Sequence, residues 1–111
     1  MIAQVRPSEL NDWLQSQAAA PLVLDVREPW ERQTASVRPE GFELVAIPMM
    51  EVPQRLAELP RDRPIACLCH HGGRSQRVAG FLAQQGYGDV ANIAGGIDAW
   101  SLERDPAVPR Y

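Results

Sequence analysis

The chain has 111 residues and a mass of 12.3 kDa, with 45% apolar and 23% charged residues. That supports one hydrophobic core in a single domain, residues 1–111, excludes a multidomain machine and lies far from a disordered composition. Eleven basic residues, all arginine, stand against 14 acidic ones for a net charge of −3, which argues against nonspecific nucleic-acid binding and against a polybasic membrane surface.

Taken in chain order, apolar strand-like runs alternate with helical patterns. Residues 2–5 read as a short edge strand. Ser8 reads as the N-cap of a helix over residues 9–19, with Leu10, Trp13 and Leu14 on its apolar face and Pro21 as its stop. Leu22 to Val26 is a short apolar run broken by Asp25, the pattern of a strand buried on both faces of a parallel sheet. Residues 28–33 read as a helical turn, and 43–47 as the next strand. Val52, Leu56 and Leu59 have helical spacing. Residues 64–68 form another buried strand, 75–85 a helix stopped at Gly86, and 90–93 a last strand. Gly95 and Gly96 open a short final helix through Trp100, and residues 105–111 read as irregular. This alternation predicts an α/β fold, a mostly parallel five-stranded sheet with helices on both faces.

No apolar run nears the ~20 residues of a membrane span. Residues 1–10 already carry Arg6, Pro7 and Glu9, unlike a signal peptide, so the expected compartment is the cytoplasm. Cys67 and Cys69 are the only cysteines and lie too close together for a disulfide framework.

Open α/β sheets place their sites at the carboxyl ends of strands. Asp25, the segment Cys69–Ser75 and the Gly95-Gly96 pair all fall there. The run Cys69-His70-His71-Gly72-Gly73-Arg74-Ser75 joins a buried strand to a helix. Gly72 and Gly73 allow a tight turn that converges backbone N–H groups, and the helix start adds free donors and a positive dipole end. Such a loop cradles an anion, and with a thiol at its mouth it favours the nucleophilic thiolate. Cys69 is therefore the candidate nucleophile. His70 and His71 lend amides to the loop and expose their rings. Arg74 braces the loop or binds a substrate anion. Ser75 is an N-cap whose hydroxyl can reach the sulfur. Cys67 shares the Cys69 side of the strand, as core or as a resolving thiol. All four thiol and imidazole groups lie within five residues with no second cluster, so no metal is expected. Trp30, Met49 and Met50 follow strand ends, and we read them as core rather than as an apolar lining of the approach.

The segment Cys69 to Ser75 resembles the active loop of the rhodanese family, Cys-x-x-x-x-Arg followed by Ser. Leu24-Asp25-Val26-Arg27-Glu28 through Glu31 resembles that family's first signature. Gly86-Tyr87 and Asn92-Ile93-Ala94-Gly95-Gly96-Ile97-Asp98-Ala99-Trp100 resemble its closing one. The resemblance implies a single-domain, rhodanese-like sulfurtransferase without metal or organic cofactor. In it Cys69 would take the outer sulfur of a small anionic donor such as thiosulfate and carry it as a persulfide. A thiol acceptor or a sulfur-relay protein would remove it, with no nucleic acid or membrane as partner. His70, His71, Gly72, Gly73 and Ser75 would bind substrate, Arg74 would act with Cys69, and Asp25 and Arg27 would support the site. Residues 33–42 depart from the family's Gly-His-Ile-x-Gly-Ala stretch and are expected to reshape the donor's entrance. The rivals are a non-catalytic rhodanese-like interaction module, a protein-to-protein sulfur relay, and, on a related fold, a phosphatase or arsenate reductase. A phosphatase loop holds five residues between cysteine and arginine; this one holds four, residues 70–73.

Overall fold

The structure is a computed structural model that describes residues 2–111. Among the described residues, five parallel strands form one sheet in the order β1-β5-β4-β2-β3. They are β1 (Ala3–Val5), β2 (Leu22–Asp25), β3 (Glu43–Ala46), β4 (Ile65–Leu68) and β5 (Val90–Ile93). Connecting or following them are the α-helices α1 (Leu10–Gln15), α2 (Pro29–Thr34), α3 (Gly73–Gln84) and α4 (Gly96–Glu103). Every strand pair is parallel, so the expected mostly parallel sheet is wholly so. No helix among the described residues is long and apolar enough to cross a membrane.

Side chains alternate between faces along each strand, and this splits the core in two. Val5, Val23, Ala66, Leu68, Ala91 and Ile93 face Leu10 of α1 and Ile97 and Trp100 of α4. Leu22, Leu24, Ile65, Cys67 and Cys69 face Val78, Ala79 and Leu82 of α3. Central strands buried on both sides explain why β2, up to its terminal Asp25, and β4 read as apolar runs. The strand order makes β2 and β4 neighbours although their connections lead toward opposite edges of the sheet, β2 to β3 and β4 to β5. Their carboxyl ends form the topological switch point, the crevice where such folds hold ligands.

Several local expectations change. The first helix is shorter than residues 9–19. A 3-10 turn (Pro7–Glu9) precedes α1, which ends at Gln15, where the Ser16 hydroxyl and the Gln17 side-chain amide both donate to the Trp13 carbonyl and compete with continued helix. Ser8 lies inside that turn and does not cap. Arg6 stands at the cap, where Glu9 accepts its backbone N–H at 2.9 Å. Residues 52–59 form turns and a 3-10 segment (Leu56–Glu58) rather than an α-helix. Val52 and Leu59 are buried all the same, so their spacing reports burial, and Pro53 removes a helix donor. The helix expected from Ser75 starts at Gly73, and past Gln84 the Tyr87 N–H returns to the Leu82 carbonyl at 3.1 Å. Trp30 and Met50 are not core: they are 62% and 76% exposed. The inward position of α2 belongs instead to Glu31, while Met49 packs partly buried against the α3 side of the core. In the 33–42 segment, Ala35, Val37 and Phe42 turn into the core, where Phe42 meets Trp100 edge to face at 5.9 Å, and Arg38 pairs with Asp105 beyond α4. These contacts make the departing segment a packing element of the α4 side.

Candidate active site

Cys69 follows β4 directly, and its side chain is buried. Two donors converge on its sulfur. The Gly72 N–H donates at 3.1 Å and the Ser75 hydroxyl lies at 3.2 Å. Gly72 reaches this position only because it has no Cβ: its φ is +109°, and a Cβ there would come within 3.3 Å of the Gly95 nitrogen. Donors aimed at one atom, behind which α3 begins, stabilise negative charge at that atom.

The Ser75 hydroxyl has one proton and three acceptors in reach: Asn92 Oδ1 at 2.6 Å, the Gly72 carbonyl at 3.2 Å and the Cys69 sulfur. With Cys69 as a thiol, its S–H can donate to Ser75 while Ser75 donates to Asn92. Once the thiol proton is gone, rotation of the hydroxyl supplies the sulfur with a second donor. Asn92, buried on β5, is set for this by its own amide, which donates to Gln4 at 2.9 Å and to the Gly72 carbonyl at 3.3 Å. Asn92 and Gln4 were not named as site residues from the sequence. Asn92 lies within the closing signature, whereas Gln4 carries no local signal.

The loop is braced from two sides. From α4, the Ile97 N–H donates to the Cys69 carbonyl at 2.9 Å and the Asp98 N–H to the His70 carbonyl at 3.2 Å. From α2, Glu31 takes both terminal nitrogens of Arg74, at 2.7 and 2.8 Å. The Arg74 hydrogen bonds hold the Glu31 carboxyl at about 2, well below the usual carboxylate range, against the opposing effect of burial. Arg74 is raised in turn, chiefly by Glu31. This pair ties Arg74, and with it the end of the loop, to α2. Glu31 was missed as a site residue. A signal was present: in Glu28-Pro-Trp-Glu31 the last carboxylate accepts the Glu28 N–H at 2.9 Å, a capping-box spacing that orients it.

Asp25 and Arg27, expected as supports, form a fully buried pair at the end of β2, with Arg27 Nη2 at 2.7 Å and Nε at 2.9 Å from the carboxylate. Burial alone would lower Arg27, but Asp25 and the Tyr111 hydroxyl outweigh it and leave the guanidinium raised. His70 and His71 stack on one another at 3.9 Å. His71 is exposed, His70 half-buried, and among the described residues the loop amide within hydrogen-bond distance of the sulfur is that of Gly72, not theirs. Gly73 starts α3. Cys67 is buried one strand repeat below Cys69 on the same face, and burial pushes its thiol up, with the neighbouring Cys69 adding to the shift. It is therefore a poor nucleophile. No group of three or more His, Cys, Asp or Glu side chains among the described residues is arranged to hold a metal ion.

Comparison with known proteins gives this geometry a context. A family model described as "Rhodanese-like domain" matches residues 6–103. A "Sulfurtransferase" of Allochromatium vinosum is 39% identical over 87 residues, 78% of each chain. The thiosulfate sulfurtransferase GlpE of Pseudoalteromonas translucida is 32% identical, over 80% of this chain and 81% of its own. The probable adenylyltransferase/sulfurtransferase MoeZ of Mycobacterium tuberculosis is 32% identical over 96% of this chain, which spans only 26% of its length. Among solved structures, a rhodanese-related protein from Thermoplasma volcanium superposes with a TM-score of 0.79 at 31% identity, covering 98% of this chain and 99% of its own.

Proposed function

The chain belongs to the rhodanese-like sulfurtransferase family, and on that premise we propose that it moves a sulfane sulfur from a donor such as thiosulfate to a thiophilic acceptor through a persulfide on Cys69. The observation that carries this reading is the pair of donors at the Cys69 sulfur, inside a loop of four residues between cysteine and arginine. In the first half-reaction the Cys69 thiolate attacks the outer sulfur of thiosulfate. A new S–S bond forms, the old one breaks, and its electron pair leaves with sulfite. In the second, the acceptor attacks the terminal sulfur and the Cys69 thiolate departs as leaving group, so cyanide would become thiocyanate. The Gly72 amide and the Ser75 hydroxyl hold the charge that shifts between the two sulfurs. Arg74 acts through Glu31 to keep the loop closed, and the buried Asp25–Arg27 pair supports the floor beneath it.

A short loop suits one sulfur atom better than a tetrahedral phosphate, which supports transfer of sulfur over a phosphatase reaction. The presence of both Cys69 and Arg74 supports catalysis over a purely binding role. The likeness to MoeZ, a longer probable adenylyltransferase/sulfurtransferase of which this chain spans 26%, supports a second reading of the acceptor, in which a partner protein receives the sulfur. Steady-state thiocyanate formation from thiosulfate and cyanide tests the proposal. Parallel double-reciprocal lines at varied cyanide are expected, because each product leaves before the next substrate binds. Intersecting lines would contradict a covalent intermediate.

A further inference from the structure

Tyr111 touches the site in three different ways. Its ring lies parallel to that of His70, 5° apart in tilt with centroids at 3.9 Å, and His71 stacks against His70 in turn. Its main-chain oxygen is 2.7 Å from His70 Nε2. Its hydroxyl sits between Arg27 Nη1 at 3.1 Å and Glu31 Oε1 at 2.9 Å.

The neighbours settle where the hydroxyl proton points. A guanidinium only donates and an ionised carboxylate only accepts, so the hydroxyl accepts from Arg27 and donates to Glu31. Burial raises the Tyr111 phenol, which keeps that proton in place at neutral pH. The oxygen it reaches, Glu31 Oε1, is the one that takes Arg74 Nη2 at 2.8 Å. The other Glu31 oxygen holds Arg74 Nη1 and the Glu28 N–H. Glu31 is thus fixed by three partners, and Tyr111 links it to the buried Asp25–Arg27 pair. One residue thereby grips the active loop near both ends, at His70 through its ring and at Arg74 through Glu31.

We propose that Tyr111 is a positioning residue for the chemistry of Cys69: it locks Glu31, and hence Arg74, while its ring holds His70, so that the loop's donors stay aimed at the sulfur. The proposal rests on the sulfurtransferase reading for its substrate but not for its thiol chemistry, and the two can be tested apart. Tyr111→Phe keeps the ring and removes only the hydroxyl; Tyr111→Ala removes both. Three quantities are read for each: the iodoacetamide alkylation rate of the Cys69 peptide at neutral pH, the rate of sulfur loading from thiosulfate, and Tm. Tyr111→Phe is expected to slow alkylation and loading about 5–10-fold, and Tyr111→Ala about 50-fold, the sizes set by losing a hydrogen bond to a charged group and then the stack as well. Tm in Tyr111→Phe should fall by no more than about 10 °C, so that the slower rates are read on folded protein. Combined with Arg74→Lys, the Tyr111→Phe loss should be less than multiplicative, because both act through Glu31, which a merely structural role would not produce. Parental alkylation and loading rates in Tyr111→Phe, or fully multiplicative losses, would overturn the proposal. If the parent protein alkylates readily at Cys69 yet never loads sulfur, the sulfurtransferase reading fails, and the alkylation series alone decides the role of Tyr111.

Discussion

A Gly96→Ala variant is expected to lose at least about 3 kcal/mol of stability and about 100-fold or more in sulfur transfer. Gly96 opens α4 with a φ of +62°, and a Cβ built there would lie 2.3 Å from the His70 carbonyl oxygen and 2.5 Å from that of Cys69. Both obstacles are backbone, so no side-chain rotation relieves them. The helix start and the active loop must separate, and the bonds from the Ile97 and Asp98 N–H groups to those carbonyls lengthen or break. Two buried acceptors then lack partners, and the loop that aims Gly72 at the sulfur loses one of its two braces. Gly80→Ala is the matched control. Gly80 lies within α3 with nothing near its missing Cβ, so alanine should raise stability by about 0.5–1 kcal/mol and leave transfer unchanged. Chemical denaturation and thiocyanate formation on both variants check this. Equal behaviour of the two glycines would contradict the close approach.

Asp25→Ala should destabilise the protein by about 3–5 kcal/mol, because it leaves the fully buried Arg27 guanidinium without its carboxylate. Against a typical total of about 5–15 kcal/mol, that loss lowers Tm by roughly 15 °C or more. The uncompensated charge, rather than the loss of a favourable pair, causes most of the damage. Asp25→Ala with Arg27→Met should therefore recover most of the stability. Activity should not follow, since Arg27→Met also removes the donor that holds the Tyr111 hydroxyl. A double variant as unstable as Asp25→Ala would show that the pair itself, and not the orphaned charge, sets the cost. Recovery of both stability and activity would show that Arg27 has no part in supporting the loop.

How far the sequence could be read follows from which interactions are local. β2 and β4 were legible because strands buried on both faces admit only apolar side chains, and the Asp25 that breaks the first run marks the rim. The loop from Cys69 to Ser75 was legible because nucleophile, glycines and helix start are consecutive. Its rhodanese signatures made the family legible too. The 3-10 segments were not legible, since Val52 and Leu59 are spaced for burial that turns satisfy as well as a helix does. Trp30 and Met50 misled because an aromatic or thioether side chain carries no mark of which way a short turn will face it. The partners of the loop were hidden for a different reason. Glu31 lies 43 residues from Arg74, and Tyr111 lies 41 from His70. Only the strand order that sets β2 beside β4, together with the packing of the segment after α4, brings them to the loop. Asn92 stands between these cases: it sits 17 residues from Ser75, within a signature that could be matched but whose role as acceptor for the hydroxyl appears only in the fold.

Whether Cys69 carries the sulfur is read by intact-protein mass spectrometry before and after thiosulfate, on the parent protein, Cys69→Ser and Cys67→Ser. The parent and Cys67→Ser should each gain the mass of one sulfur atom, removable by cyanide, while Cys69→Ser gains none. A cyanide-removable sulfur on Cys69→Ser, or its loss in Cys67→Ser, would contradict the assignment of Cys69 as carrier. No gain on the parent would reject thiosulfate as the donor.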